Sequence, residues 1–199
     1  MVTVFGLFII LLTISIGAFL LYQGLGTFTK YGHSVGEFLF SSKWKPSMDF
    51  KGGGQVGAAI FIAGSMSVSF LALLIATPFS MAAAIFMSEI SPRVGKRLLQ
   101  PAIEIFVGIP SVVYGWVGMN VLAPFVARVF RLPFGYGLLS AALVLALMIF
   151  PTITTVSVDA IRNVNIEYKE ASYGLGSTRW QLIRKIILPS ALPGIITGI

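Results

Sequence analysis

Residues 170–189 read EASYGLGSTRWQLIRKIILP, a polar stretch that lies between strongly apolar runs. The stretch opens on Glu170, Ala171 and Ser172, and Gly176 follows after three intervening residues. After nine further intervening residues it closes on Ile186, Leu188 and Pro189. Several fixed residue types held at two long spacings seldom arise by chance. The stretch therefore predicts one defined structural element between two membrane spans.

The composition of the chain is that of an integral membrane protein. Of its 199 residues, 56% are hydrophobic and only 11% are charged, about half the charged fraction of a soluble domain. A bilayer-spanning helix needs about 20 predominantly apolar residues. Four runs reach that length, and a fifth begins at Ile186 and stops at Ile199; the four are 2–22, 58–87, 102–127 and 133–158. We predict an all-α, polytopic membrane protein with four complete helices and a truncated fifth.

The basic residues of the loops are consistent with one orientation. If residues 170–189 face the cytoplasm, alternation places 88–101 and 159–185 inside, and 23–57 and 128–132 outside. The inside loops then hold eight Lys and Arg and the outside loops six, the sign that the positive-inside rule requires. Because the net charge of +7 is concentrated in these loops, it indicates contact with lipid headgroups rather than nucleic acid.

The inner segment 159–185 has the local signals of a helix–turn–helix at the membrane surface. Asn165 is placed to cap a short helix over 166–173. Gly174 and Gly176 are predicted to break it, because glycine tolerates dihedral angles that other residues avoid. Thr178 and Gln181, three residues apart, predict a capping box for a second helix.

This segment has two interpretations. Small Ala171 and Ser172 allow close approach of a partner backbone, and Glu170 offers a carboxylate to hold the loop or to face a basic residue. The alternative is an amphipathic surface helix that only connects two spans. The long-range spacing favours docking of a partner.

Prolines inside the apolar runs mark candidate positions for a substrate path. Pro110 would free the carbonyl of Phe106, and Pro151 that of Leu147, so each is expected to kink or break its helix. Broken helices at mid-membrane commonly line substrate paths, whereas packing kinks between close helices are an equal alternative. The candidates are Glu104, Gly108, Pro110, Ser111, Pro151 and Thr152.

Charged residues near the inner ends of the spans are few. We expect Glu104 to snorkel to the interface or to pair with the basic segment around Arg97, and Asp159 to pair with Arg162 one helical turn away. The sequence contains no cysteine, no carboxylate pair, no triad and no P-loop. We predict no catalytic residue, no metal ligand and no cofactor bound by this chain, so any ATP site must lie on a separate subunit.

The spacing of residues 170–189 resembles the EAA loop of permease subunits in ATP-binding-cassette (ABC) importers, whose pattern is EAA, three residues, Gly, nine residues, I-x-L-P. Ser172 departs from the pattern as one small residue for another. In that family the loop holds the ATPase. The resemblance implies that the ATPase-coupling residues are Glu170, Ala171, Ser172, Gly176, Ile186, Leu188 and Pro189. It also implies the type I importer (MetI-like) fold, which has six helices, so we expect the natural protein to be longer.

Two further blocks, FLFSSKWKP (38–46) and GIPSVVYGWVG (108–118), narrow the resemblance to permease subunits of phosphate importers of the PstC type, with the PstA type next. This resemblance covers essentially the whole chain. It implies one permease domain over 1–199, located in the cell membrane, with 159–185 as the ATPase-coupling loop. Its implied partners are ABC ATPase subunits, a sister permease, an extracytoplasmic phosphate-binding protein and membrane lipid, without nucleic acid.

The function that this resemblance implies is ATP-driven import of inorganic phosphate by a permease subunit that is not itself an enzyme. Three alternatives stay open at this point, and one of them is a membrane scaffold that only recruits a partner. The cargo could be another oxyanion or small solute, such as sulfate, molybdate or an amino acid. The chain could also be a channel or carrier that needs no ATPase, which predicts ionisable relay residues inside the membrane.

Overall fold

Long apolar helices form most of the structure, a computed structural model that describes residues 2–47 and 54–199. The chain divides into two compact units, Met1–Ser65 and Met66–Ile199. Four helical stretches are long and apolar enough to cross a membrane, and they are Thr3–Thr29, Ala59–Ile90, Ser111–Phe130 and Leu138–Arg162. The prediction of a polytopic helical membrane protein with four spans is confirmed.

The first unit is built on helix α1, Val2–Thr29. It continues past the predicted end of the first run at residue 22, because hydropathy does not fix where a helix stops. Helix α2, Val35–Phe40, begins where the Ser34 hydroxyl accepts a hydrogen bond from the backbone N–H of Glu37. Strands β1, Trp44–Lys45, and β2, Gln55–Val56, pair antiparallel. Positions 48–53 of the predicted outer loop lie outside the described residues.

The second unit contains most of the helices. Helix α3, Ala59–Ile85, includes the boundary between the units and continues as a π-helical segment, Phe86–Ile90. The remaining elements are α4 (Pro92–Val94), a π-helical segment (Gly95–Leu99), α5 (Gln100–Gly108), α6 (Ser111–Val117), a π-helical segment (Gly118–Leu122), α7 (Ala123–Phe130), α8 (Leu138–Arg162), α9 (Ile166–Gly174), α10 (Arg179–Leu182), a π-helical segment (Ile183–Ile187) and α11 (Leu188–Ile196).

The predicted third span, 102–127, is two helices rather than one. Helix α5 ends at Gly108 and α6 begins at Ser111, with Pro110 extended between them at ψ 140°. The carbonyl of Phe106, which Pro110 cannot bond, accepts a hydrogen bond from the Tyr114 hydroxyl at 2.8 Å. The break at Pro110 is therefore confirmed. The third helical stretch of spanning length starts after it, at Ser111.

Helices α3 and α8 pack through small side chains. Ala72, Ala76, Ala142 and Ala146 are buried in one cluster, which lets the two backbones approach closely. Nearby, the Ser80 hydroxyl donates to the carbonyl of Phe150 at 3.1 Å and joins the helices. Within α8, the Thr154 and Thr155 hydroxyls donate to the carbonyls of Phe150 and Pro151. The hydroxyls around Pro151 thus serve the helix backbone and its packing.

A second apolar cluster lies where α3, α8 and the last elements meet. Its buried members are Ala84, Met87, Ile103, Val158, Ile161, Leu182, Ile183, Ile187, Ala191 and Ile195. Because α10 and the π-helical segment after it contribute three of these side chains, the C-terminal limb of the inner loop is fixed to the spans by its own apolar residues.

Candidate functional site

Helix α9 forms the first limb of the inner loop and begins as the sequence predicts. The Asn165 side chain accepts a hydrogen bond from the backbone N–H of Glu167 at 3.1 Å, and Glu167 adds a negative charge in the first turn. The helix ends at Gly174, one residue beyond the predicted end. The N-cap prediction is confirmed.

The turn after α9 is a Schellman motif closed by Gly176. The N–H of Ser177 donates to the carbonyl of Ser172 at 3.2 Å, and the N–H of Gly176 donates to that of Tyr173 at 2.9 Å. Gly176 has φ +76°, the left-handed conformation that this motif requires at its C′ position. The prediction that Gly174 also breaks the helix is wrong, because Gly174 is the last helical residue.

Ser172, which departs from the family pattern, has a defined place in this turn. The residue is buried, and its hydroxyl shares a hydrogen bond with the Ser177 hydroxyl. The Ser177 hydroxyl also donates to the carbonyl of Ser172 at 2.8 Å. The serine therefore adds one polar contact across the turn at a position where the pattern has alanine.

We expect Ser172→Ala to have a small effect. The substitution removes one hydroxyl, while the two backbone bonds of the Schellman motif and the bond from Ser177 to the Ser172 carbonyl remain. A single hydrogen bond contributes about 0.5–1.5 kcal/mol, so thermal unfolding of the full-length protein in detergent should shift slightly and loop function should persist. Loss of function in this variant would show that the hydroxyl itself is needed.

Helix α10 begins with the predicted capping box. The Thr178 hydroxyl accepts from the backbone N–H of Gln181 at 3.3 Å, and the Gln181 side-chain oxygen accepts from the N–H of Thr178 at 2.9 Å. Two of the unpaired backbone N–H groups at this helix start are therefore satisfied. The capping-box prediction is confirmed.

The residues of the EAA-like pattern divide into a supporting and an exposed group. Ile186 and Leu188 are half-buried against the apolar cluster at the inner ends of the spans, whereas Pro189 is exposed. Glu170 and Ala171 are exposed on α9. Glu170 makes no hydrogen bond or ion pair with any described residue, so its carboxylate is available to a partner.

An apolar stripe is exposed along α9. Tyr168, Ala171 and Leu175 follow at spacings of three and four residues, which place them on one side of the helix. We call these three residues the loop stripe. Tyr168 is 55% exposed, and Leu175, directly after the last helical residue, is 89% exposed. Leu175 lies between Gly174 and Gly176, and with Tyr168 and Ala171 it forms an exposed apolar surface on the inner loop.

The six substrate-path candidates are not brought together. Gly108 and Ser111 flank Pro110 at the break between α5 and α6. Ser111 also lines a cavity of about 480 Å³ with Tyr114 and apolar residues of α8. Glu104 lines a separate cavity of about 80 Å³. The other residues around that smaller cavity are Met87, Gln100, Ile103, Thr154, Thr155, Val158, Asp159 and Arg162. Pro151 is buried in α8 and Thr152 is exposed, and neither lines these two cavities.

Two expected ion pairs do not form. Glu104 accepts a hydrogen bond from the Gln100 amide at 3.1 Å instead of pairing with Arg97. Asp159 and Arg162 are exposed and are not paired, since an exposed pair on one helix gains only about 0.2–0.5 kcal/mol. The prediction of an Asp159–Arg162 pair is wrong, and of the two expectations for Glu104 the ion pair with the segment around Arg97 does not form. Within 2–47 and 54–199 the ion pairs are His33–Glu37 and Glu89–Lys169.

The Glu89–Lys169 pair has no signal in the sequence. The Lys169 ammonium donates to a Glu89 carboxylate oxygen at 2.7 Å, between residues 80 positions apart. It joins segment 88–101 to segment 159–185, so both lie at one end of the second unit, as the predicted alternation requires.

Multiple apolar spans, a broken helix and a helix–turn–helix at one end of the second unit define the class of a multi-pass membrane protein. A solved structure of the same fold is the MetNI methionine ABC transporter in inward-facing conformations, with a TM-score of 0.54, 23% identity and coverage of 71% of this chain and 64% of that chain. This likeness confirms the predicted type I importer fold.

Residues 76–199 match the family described as binding-protein-dependent transport system inner membrane component, and the chain belongs to that family. It is a multi-pass protein of the inner membrane. The chain is 45% identical to the probable ABC transporter permease protein YqgH of Bacillus subtilis (strain 168), over 100% of this chain and 63% of the relative. It is 36% identical to the phosphate transport system permease protein PstC of Pasteurella multocida (strain Pm70), over 98% of this chain and 64% of the relative.

A third relative is the phosphate transport system permease protein PstC of Haemophilus influenzae (strain ATCC 51907 / DSM 11121 / KW20 / Rd), 34% identical over 97% of this chain and 66% of the relative. The chain thus spans 63%, 64% and 66% of the length of these three curated relatives. The resemblance to the PstC type is confirmed.

Proposed function

We propose that this chain is part of the permease subunit of an ATP-driven importer that moves inorganic phosphate across the cytoplasmic membrane. The observation that carries the proposal is the loop stripe, held out by the capped α9 helix and the Schellman turn at Gly176. Several relatives bear the name of phosphate transport permease, which supports phosphate as the cargo.

The loop stripe is suited to hold an ATPase subunit. Buried apolar anchors dominate the binding energy of protein interfaces, and Leu175 presents nearly its whole side chain for burial. Next to it, the Glu170 carboxylate can bind a basic residue of the partner. The limb that follows the turn is fixed in the apolar cluster by Leu182 and Ile183, so a force on the stripe reaches the spans.

The other partners follow from the proposed function as an importer subunit. The sequence contains no P-loop, so ATP would bind to and be hydrolysed by a separate ABC subunit, and the chain itself needs no cofactor. A sister permease and lipid would cover the exposed apolar side chains of α1, and an extracytoplasmic phosphate-binding protein would deliver the anion. Residues 1–199 would act as one permease domain with 159–185 as its coupling loop.

The substrate path is proposed to pass the break between α5 and α6. Pro110 and the residue before it lie outside a regular helix, between Gly108 and Ser111, and irregular backbone within a membrane protein usually lines a path or a protein interface. Pro151 and Thr152 on α8 and Glu104 on α5 are further candidates. Because Glu104 repels an anion, we assign it to the rim of the path rather than to phosphate binding.

The experiment that tests this function measures solute uptake in cells. A strain that lacks the gene is complemented with the full-length subunit and its partners, and uptake of radiolabelled phosphate is measured beside an empty-vector control. We expect complementation to restore phosphate uptake and unlabelled phosphate to compete with it, whereas equal sulfate or molybdate should not. Uptake of sulfate, molybdate or an amino acid without phosphate uptake would contradict the assignment of the cargo.

A further inference from the structure

We propose that the Glu89–Lys169 ion pair transmits movement of the docked ATPase to helix α3. The proposal rests on the proposed function of the loop and adds a positioning role for two residues outside the EAA-like pattern. Glu89 belongs to the π-helical segment that ends α3, and Lys169 directly precedes Glu170 on α9. The pair therefore joins the partner-facing helix to a span that is distant in sequence.

The connectivity of the loop shows what this link adds for the first limb. The loop is continuous with α8 before α9 and with α11 after α10, so these two helices follow the loop through the chain itself. Helix α3 has no such connection through the chain, although its Ala84 shares the apolar cluster with Leu182 and Ile183 of the second limb. From α9, the contact that reaches it is the bond from the Lys169 ammonium to the Glu89 carboxylate at 2.7 Å.

A second contact strengthens the link from the other limb. The Arg179 guanidinium, on α10, donates to the carbonyl of Ile90 at 3.4 Å. The two limbs on either side of the Gly176 turn thus bind neighbouring residues at the end of α3. We call these two contacts the α3 brace.

The surroundings of the ion pair make it suited to transmit force. The side chains of Glu89 and Lys169 are 11% and 20% exposed, and water weakens a partly buried pair less than a surface pair. Loss of one partner leaves the other charge poorly solvated, which resists separation of the pair. The end of α3 also has π-helical geometry over Phe86–Ile90, a feature often found at functional sites.

The test measures two properties of the full-length transporter: the coupling of phosphate import to ATP hydrolysis, and the assembly of the complex. The complex is reconstituted in proteoliposomes with its ATPase and binding protein, and phosphate imported per ATP hydrolysed is measured together with the amount of co-purified ATPase. Glu89→Gln and Lys169→Met should keep the complex assembled and lower this ratio by about tenfold, within the range of coupling between contacting residues. The matched control is Lys96→Met, which removes an exposed lysine of segment 88–101 that forms no ion pair in the part of the chain that the structure describes. This variant should keep the wild-type ratio.

A charge swap distinguishes the effect of the ion pair from the effect of each side chain alone. Glu89→Lys and Lys169→Glu should each lower the ratio, and the double variant should restore most of it. A wild-type ratio in Glu89→Gln and Lys169→Met overturns the proposal. So does loss of assembly in those variants, which indicates a folding role, or a swap that restores nothing.

Failure of this proposal can be told apart from failure of the proposed function. Leu175→Asp alters the loop stripe without touching the α3 brace, and it is measured in the same preparation. If Leu175→Asp releases the ATPase while the brace variants keep the wild-type ratio, only the brace proposal fails. If Leu175→Asp leaves ATPase binding and phosphate import intact, the docking function itself is wrong.

Discussion

Gly176→Val is expected to abolish association of the ATPase and uptake of the cargo. Gly176 holds φ +76°, and for an L-residue this left-handed conformation costs about 1–2 kcal/mol, with a further steric penalty for a β-branched side chain. We expect the variant to relieve this strain by opening the Schellman turn, which would change the angle between α9 and α10. Association is measured by co-purification of the ATPase with the full-length subunit.

Gly174→Ala is the matched control for this experiment. Gly174 lies two residues earlier, has helical geometry, and a Cβ built there meets no atom within 4 Å. Alanine is favoured over glycine in a helix by about 0.5–1 kcal/mol, so this variant should keep the ATPase. If Gly176→Val also retains the ATPase and full uptake, the turn is not part of the coupling mechanism.

Leu175→Asp is expected to weaken ATPase binding without affecting the fold. The side chain is 89% exposed, so a charge at this position should change the folding free energy of the isolated subunit little. At a docked interface the same charge would be buried, and loss of a central apolar anchor costs about 2 kcal/mol or more, which is about 30-fold in affinity. The affinity is measured by titrating purified ATPase onto the full-length subunit in detergent or nanodiscs.

Val94→Asp provides the comparison for Leu175→Asp. Val94 is also exposed and apolar, and it lies on α4 outside the loop. An equal loss of affinity in both variants would mean that any added negative charge at the inner end disturbs the complex. A loss confined to Leu175→Asp identifies the loop stripe as the docking surface.

The parts of the loop that the sequence predicts correctly are those set by local chemistry. Asn165 and the Thr178–Gln181 box bond to backbone groups two or three residues away, so residue type and spacing are enough to place them. Pro110 breaks its helix for the same reason, since the missing amide hydrogen is a property of the residue itself.

The features that the sequence does not predict depend on tertiary contacts or on small interaction free energies. The Glu89–Lys169 pair joins residues 80 positions apart, and no local pattern indicates it. Asp159 and Arg162 have the spacing of a helical pair, but at an exposed site the gain is too small to fix two long side chains. Glycine commonly ends a helix, but the Schellman motif needs only one residue in the left-handed conformation. Here that residue is Gly176, so Gly174 remains helical.

The central claim is that ATP hydrolysis in a separate subunit drives phosphate through a permease containing this chain. It is tested most directly by uptake of radiolabelled phosphate into proteoliposomes that contain the full-length permease and its ATPase, with the binding protein outside and ATP inside. We predict accumulation of phosphate that requires ATP and disappears when the ATPase is catalytically inactive. Phosphate entry that continues at the same rate without ATP would contradict the claim and identify a channel or carrier instead.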